Sequence, residues 1–223
     1  MSNLFSVEMI LVTVLGYPLS YIEFFGTVLY LASVYLVAKR HVLTWPVGIV
    51  SVLLFMVLFY QIRLYSAAAE QMVYLAACTY GWWYWAQSGI QAGRVEGVGF
   101  SPVPTLLKWL GVIVVLSAAL GLVMTRVHEW APTLFPEAAA FPLIDAATTV
   151  TSLVAMWLMA RKRTESWVLW IAVDVVSIWL YFVKGVAFVS LLYVVLLGLA
   201  TLGLLAWLKA GRPSHRLTSE YVS

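Results

Sequence analysis

Long apolar runs, separated by short polar and proline-bearing breaks, fill most of this chain of 223 residues. Seven of them lie at approximately 19–38, 46–63, 65–87, 103–125, 140–160, 167–183 and 186–208. Each is long enough for a hydrocarbon core of about 30 Å, which needs roughly 17–25 residues of helix. Pro18, Pro46, Pro102 with Pro104, Pro142 and the Lys184-Gly185 pair mark the breaks. The pattern predicts an all-α polytopic membrane protein with seven transmembrane helices. Met9–Gly16 is too short to span and no basic stretch precedes it, so residues 1–18 are expected to be an interfacial segment and not a cleaved signal peptide. Gln87–Thr105 reads as a loop, and residues 210–223 as a polar tail.

The runs are not independent. Residues 21–87 reappear in order and without a gap as residues 143–209, at an offset of 122. The register pairs Trp45 with Trp167, Trp85 with Trp207, Gly81 with Gly203, Thr79 with Thr201, Glu23 with Asp145 and Lys39 with Arg161. Paired tryptophans in one shared register are hard to obtain by chance, even in a chain rich in Leu, Val and Ala. The offset carries the first run onto the fifth, and four crossings is an even number, so both copies insert the same way up. The expected organisation is a 3+1+3 parallel repeat: 19–87 and 140–209 as three-helix units, with 88–139 as a linker containing the fourth helix. Transporters often hold their substrate between two such bundles.

Composition sharpens the class. The chain is 63% hydrophobic and 10% charged, against about 25% charged residues in soluble domains, and its mean hydropathy is +0.95. Lys39, Arg40, Arg94, Lys108, Arg161, Lys162, Arg163, Lys209, Arg212 and Arg216 fall on one side of the predicted spans. Arg63, Arg126 and Lys184 fall on the other. The positive-inside rule makes the first side cytoplasmic, with the N-terminus outside and the C-terminus inside. Topology thus accounts for the basic balance, and no nucleic-acid partner is needed. One cysteine, Cys78, forbids an intrachain disulfide.

Within the spans a few residues carry chemistry. Trp167, Trp170, Asp174, Ser177 and Tyr181 follow one another at spacings of three, four, three and four, which puts them on one helical face. Asp174 stands about 10 Å along the axis from Trp167. An acid near mid-membrane costs about 2.5–3.5 kcal/mol to insert, so it is expected to face a polar cavity or ligand; bonding to nearby hydroxyls for packing is the plainer alternative. Gln71 and Tyr74 share a face of the third span and suit a small polar ligand, or act as interhelical glue. Glu70 either serves the site or pairs with Arg63. Glu23 and Asp145, in first helical turns, are expected to be structural. Lys184 either snorkels outward or holds a ligand hydroxyl. Trp83 and Trp85 are expected in the interfacial aromatic belt, and Trp82 is open. Gly48 against Trp170 at matched positions suggests space vacated in one half and filled in the other.

Enzyme chemistry lacks its usual motifs: HExxH, GxSxG, a Walker loop and CxxC do not occur. His41, His128 and His215 lie in loops or the tail, so no cofactor or intramembrane metal is expected.

Several of these residues resemble a known family. Thr44-Trp45-Pro46-Val47-Gly48-Ile49, Phe59-Tyr60-Gln61, Leu64-Tyr65, Gln71 with Tyr74, Tyr80-Gly81-Trp82, Trp167-x-x-Trp170-x-x-x-Asp174, Tyr181, Lys184-Gly185 and Leu192-Tyr193 are similar to the Pnu-type (PnuC-like) bacterial vitamin transporters, over about residues 18–209. The resemblance implies a SWEET-like 3+1+3 fold in the bacterial inner membrane, and facilitated diffusion of nicotinamide riboside or a related vitamin such as thiamine. It also implies a cytoplasmic vitamin kinase that traps the substrate as its phosphate. Trimers occur among relatives, and nothing in this chain's pattern demands one. Both vitamins carry a cationic aromatic ring, which tryptophan faces attract by about 0.5–2 kcal/mol. The resulting expectation is stacking on Trp167 or Trp170, hydrogen bonding by Gln71, Tyr74 and Tyr193, and polar anchoring by Asp174 and Lys184, with Tyr181 beside them. A sugar facilitator of SWEET type would not need the mid-membrane acid.

Overall fold

The computed structural model describes residues 6–14, 16–62, 65–91, 93–130, 141–183, 185 and 187–211. Lys184, Arg63, most of the segment after the fourth helix and most of the polar tail lie outside the described residues. Seven helices run through the rest: α1 (Tyr21–Ala38), α2 (Thr44–Gln61), α3 (Tyr65–Ala86), α4 (Val103–Trp130), α5 (Pro142–Ala160), α6 (Glu165–Val183) and α7 (Ala187–Ala210). Six of them are long and apolar enough to cross a membrane. The remaining one, α3, has 22 residues, but Glu70, Gln71 and its tyrosines and tryptophans make it more polar than its neighbours.

The segment before α1 is a hairpin. β1 (Ile10–Val14) pairs antiparallel with β2 (Tyr17–Ser20), and Ile10 and Val12 are exposed. Ser20 ends the hairpin and caps α1, its Oγ accepting from the Glu23 amide at 3.4 Å. The Tyr17 hydroxyl donates to Glu23 Oε1 at 2.9 Å. Burial, then Glu23 itself, pushes that hydroxyl up to about 12. Glu23 is thus engaged at a helix start, as its position in the sequence suggests.

In each half the helices pack in chain order, α1 on α2 on α3 and α5 on α6 on α7, and α4 lies against α5. The halves meet through α1 with α7 and α3 with α5. Features recur at the repeat offset. Ala38 and Ala160 end α1 and α5, and the turns that follow carry Arg40 and Lys162 at φ 58° and 60°. A non-glycine residue in the left-handed region is uncommon, so its recurrence at matched positions points to one turn used twice. A small hairpin, β3 (Ile90–Gln91) with β4 (Arg94–Val95), begins a strap across this basic end. Val42 N donates to Gly93 O and Val95 N to Arg40 O, both at 2.9 Å. On the other half Gly99 N donates to Lys162 O at 3.3 Å and Thr164 N to Gly99 O at 2.9 Å. Lys162 Nζ donates to Ser88 Oγ at 2.8 Å and to Glu96 O at 3.0 Å, and burial holds its ammonium below the ordinary lysine range. The stretch expected to be plain loop is therefore an ordered strap.

Beneath the strap lies a packed core built on Trp45, Trp85, Trp167 and Trp207 with Val95 and Val98 of the strap. This corrects the belt expectation for Trp85, whose exposure is 0%. Trp85 is four residues past Gly81 and so faces inward with it, whereas Trp82 and Trp83 are exposed. The space at Gly48 is also not vacant. A Cβ there would meet Ser33 Oγ at 3.0 Å and Cys78 Sγ at 3.5 Å. The matched positions in the second half are Ala155 and Ala200, both buried. Small and large residues have traded places, so each half fills its volume differently.

Candidate functional site

The inward face of α6 is continuous. Trp167, Asp174 and Ser177 are buried and Trp170 and Tyr181 are half-buried. Asp174 sits at the middle of α6 with 3% exposure. Its electrostatic neighbours are tyrosines from other helices, Tyr30 of α1 and Tyr193 of α7. Tyr193 stacks on Tyr181 with centroids 5.4 Å apart and planes 12° from parallel. Ser177 lies within hydrogen-bonding reach of Tyr193. Tyr74 of α3 joins from the first half, near Tyr30 and Tyr193, and its hydroxyl donates to Glu70 Oε1 at 3.3 Å.

The result is a cluster of four tyrosines drawn from α1, α3, α6 and α7, with Tyr30 and Tyr193 beside one buried acid. Phenols donate and accept hydrogen bonds, their rings present π faces, and the carboxylate supplies one negative charge. Such a lining fits a small polar ligand with a positive charge. Glu70 and Asp145 are in electrostatic reach of each other and of Tyr181, so negative charge continues from the cluster toward the end of the bundle opposite the strap.

The cluster gathers Tyr74, Asp174, Tyr181 and Tyr193. Gln71 is half-buried, three residues before Tyr74 on α3, and Trp170 is half-buried against the tryptophan core. Trp167 stands apart at 1% exposure. Its ring edge lies 2.5 Å from where a Gly203 Cβ would stand, and Trp207 meets it edge-on at 5.7 Å. Trp45 is packed the same way against Gly81 and Trp85, which ties the pair to the repeat. Sequence reasoning missed Tyr30. An intramembrane tyrosine at the centre of α1 was available as a signal, but its repeat mate is Ser152, so the register gave it no emphasis.

A groove of about 500 Å³ between α5 and α6 is lined by Leu143, Thr148, Val175, Val176 and Trp179. Its lining is almost wholly apolar, and Leu143, Val175 and Trp179 are exposed on the outside of the bundle. The groove suits a lipid-facing surface and not a polar ligand.

Comparison with known proteins agrees with this architecture. The family model for the nicotinamide mononucleotide transporter matches residues 20–209. The nicotinamide riboside transporter PnuC of Escherichia coli (strain K12) is 33% identical over 234 residues, spanning 94% of this chain and 96% of the relative. The riboflavin/roseoflavin transporter RibM of Streptomyces davaonensis is 30% identical, spanning 87% of this chain and 88% of its own. In three dimensions, the crystal structure of the vitamin B3 transporter PnuC superposes with a TM-score of 0.63 at 25% identity, covering 85% of this chain and 81% of that one. Matched along nearly its whole helical length, the chain belongs to the PnuC, or nicotinamide mononucleotide transporter, family of multi-pass membrane transporters.

Proposed function

We propose that this protein carries a small cationic aromatic vitamin, nicotinamide riboside above all, across the bacterial inner membrane by facilitated diffusion. The observation that carries the reading is Asp174, an acid with 3% exposure at the centre of α6, beside Tyr30 and Tyr193, which link it to Tyr74 and Tyr181. Nicotinamide riboside has a pyridinium ring, a carboxamide and ribose hydroxyls. Asp174 answers the charge or a hydroxyl, the phenols bond the sugar, Trp170 stacks on the ring, and Gln71 and Tyr74 read the amide. Trp167, packed against Gly203 and Trp207, anchors the same face of α6 one turn from Trp170, and Lys184 is assigned to donate a hydrogen bond to a ligand hydroxyl.

We read the seven helices as a SWEET-like 3+1+3 parallel repeat, with α4 as the odd helix. Supporting this are the matched turns at Arg40 and Lys162 and the matched tryptophan–glycine packing. Two like halves around one central site favour alternating access. The strap end carries Arg40, Arg94, Arg161, Lys162 and Arg163, so it is assigned to the cytoplasm. Net uptake without an ion gradient then needs a sink, supplied by a cytoplasmic vitamin kinase that phosphorylates the substrate. The resemblance to trimer-forming relatives leaves a homotrimer open as the assembly.

A second reading keeps the mechanism and changes the vitamin. The relative named for riboflavin and roseoflavin supports a broader aromatic class, and thiamine shares the cationic ring. The deciding experiment is uptake of labelled nicotinamide riboside, thiamine, riboflavin and glucose into proteoliposomes with no imposed ion gradient. Uptake of nicotinamide riboside is expected. Uptake of another vitamin alone would replace the substrate, and uptake of glucose alone would overturn the reading.

A further inference from the structure

At the basic end, four indoles form a chain across the boundary between halves. Trp45 meets Trp85 edge-on at 5.2 Å, Trp85 meets Trp207 at 6.2 Å, and Trp207 meets Trp167 edge-on at 5.7 Å. The two central members are wired to the opposite half. Trp85 Nε1 of α3 donates to the Ala160 carbonyl at the end of α5, at 3.0 Å. Trp207 Nε1 of α7 donates to the Val37 carbonyl at the end of α1, also at 3.0 Å. Those carbonyls belong to last helical turns, beyond the reach of the regular helical ladder, and the Val37 carbonyl also accepts from the Arg40 amide at 2.9 Å. Two buried hydrogen bonds thus run in opposite directions between the repeats, at one depth.

The outer two indoles complete the picture. Trp45 and Trp167 are 3% and 1% exposed, and their Nε1 atoms have no hydrogen-bond partner among the described residues. Buried donors left unpaired disfavour the state that buries them. The closed arrangement is therefore latched by two bonds and opposed by two orphaned donors, a balance suited to repeated opening. The strap is compatible with such movement. Its backbone is fixed to one half at Gly93 and Val95 and to the other at Gly99. The Lys162 side chain also holds Ser88 and Glu96, so movement between the halves releases those two side-chain bonds and turns at Gly97, φ 77°, where glycine is free.

We propose that Trp85 and Trp207 form a reciprocal latch that closes the basic-end exit of the substrate path, and that substrate release requires both cross-half hydrogen bonds to break. The proposal rests on the transport reading and adds to it the residues that gate one side. Its reporter is already present: Cys78, the chain's one cysteine, is 4% exposed within the same core.

The test is the rate at which N-ethylmaleimide labels Cys78 in full-length protein in lipid nanodiscs, without substrate. Trp85→Phe and Trp207→Phe keep a ring and delete the donor. Each is expected to label about fivefold faster than the parent, the population shift that one net hydrogen bond gives, and the double variant faster still. Tyr80→Phe deletes a different cross-half bond, the one Arg161 makes to the Tyr80 hydroxyl at 2.8 Å on the surface, and is expected to leave labelling unchanged. Should the phenylalanine variants lose monodispersity, benzothienylalanine at position 85 preserves the ring shape without the N–H and gives the same readout. Parental labelling rates in folded variants would overturn the latch. So would equal acceleration by Tyr80→Phe, which would mean general loosening. Labelling needs no ligand, so the two readings fail separately: faster labelling with none of the tested vitamins carried would leave the latch and remove the substrate assignment.

Discussion

The ring of Trp167 lies 2.5 Å from where a Cβ on Gly203 would stand. Trp45 holds the same position over Gly81, also at 2.5 Å. Both rings are hemmed in by a second tryptophan, so neither has room to retreat. Gly203→Ala and Gly81→Ala are each expected to destabilise the fold by about 1–3 kcal/mol, the usual range for overpacking a core. Gly198→Ala, with nothing within 4 Å, should be neutral. Size-exclusion profiles after heating in detergent would separate them. Equal melting of all three would mean that the rings move aside.

Asp174 is expected to discriminate by charge. Asp174→Asn keeps the shape and an acceptor oxygen but removes the negative charge from the middle of α6. Hydrogen bonds to charged groups contribute about 1.5–3 kcal/mol, so the Kd for nicotinamide riboside should weaken by about 10- to 100-fold. A neutral aromatic ligand should lose far less. Asp174→Ala should abolish uptake with expression largely retained. Calorimetric titration of the purified variants tests the first point, and unchanged nicotinamide riboside affinity in Asp174→Asn would remove the acid from the site.

The helices and the buried acid were legible in the sequence because insertion into lipid leaves few options. An apolar run must be a helix, and a mid-membrane acid must find polar company. The register behind the repeat reading was legible because Trp45, Gly81 and Trp85 recur as Trp167, Gly203 and Trp207. What Trp85 does was not. Belt and core tryptophans have the same spacing to the helix end, and only the orientation of α3 toward α5 separates them. The Gly48 space was misjudged for a related reason. Sequence compares a residue with its repeat mate, whereas packing compares it with Ser33 and Cys78 on neighbouring helices.

Tyr30 tests what the sequence left out. It reaches the Asp174 and Tyr193 neighbourhood from α1, in the same half as Gln71 and Tyr74, which are proposed to read the ligand amide. Tyr30→Phe removes only a hydroxyl. A net hydrogen bond contributes about 0.5–1.5 kcal/mol, so ligand affinity should fall by about 2- to 10-fold, with thermal stability held within about 1 kcal/mol. Unaltered affinity would mean that the phenol packs without touching ligand.

Trp170 and Trp167, one turn apart on α6, should fail in different ways. Trp170 is half-buried and keeps a free portion of ring, while Trp167 is 1% exposed and locked against Gly203 and Trp207. If stacking on a cationic ring is the role of Trp170, Trp170→Leu should weaken binding by the about 0.5–2 kcal/mol that a cation–π contact supplies, roughly 2- to 30-fold. Trp170→Phe should fall in between, because a smaller π face still attracts a cation. Trp167→Leu removes an interlocked ring from the core, so its first effect should be on melting temperature. Measuring Kd and thermal midpoint for all three variants separates the roles. Loss of affinity in Trp167→Leu at parental stability, with Trp170→Leu unaffected, would exchange the two assignments and place the ligand one turn nearer the indole latch.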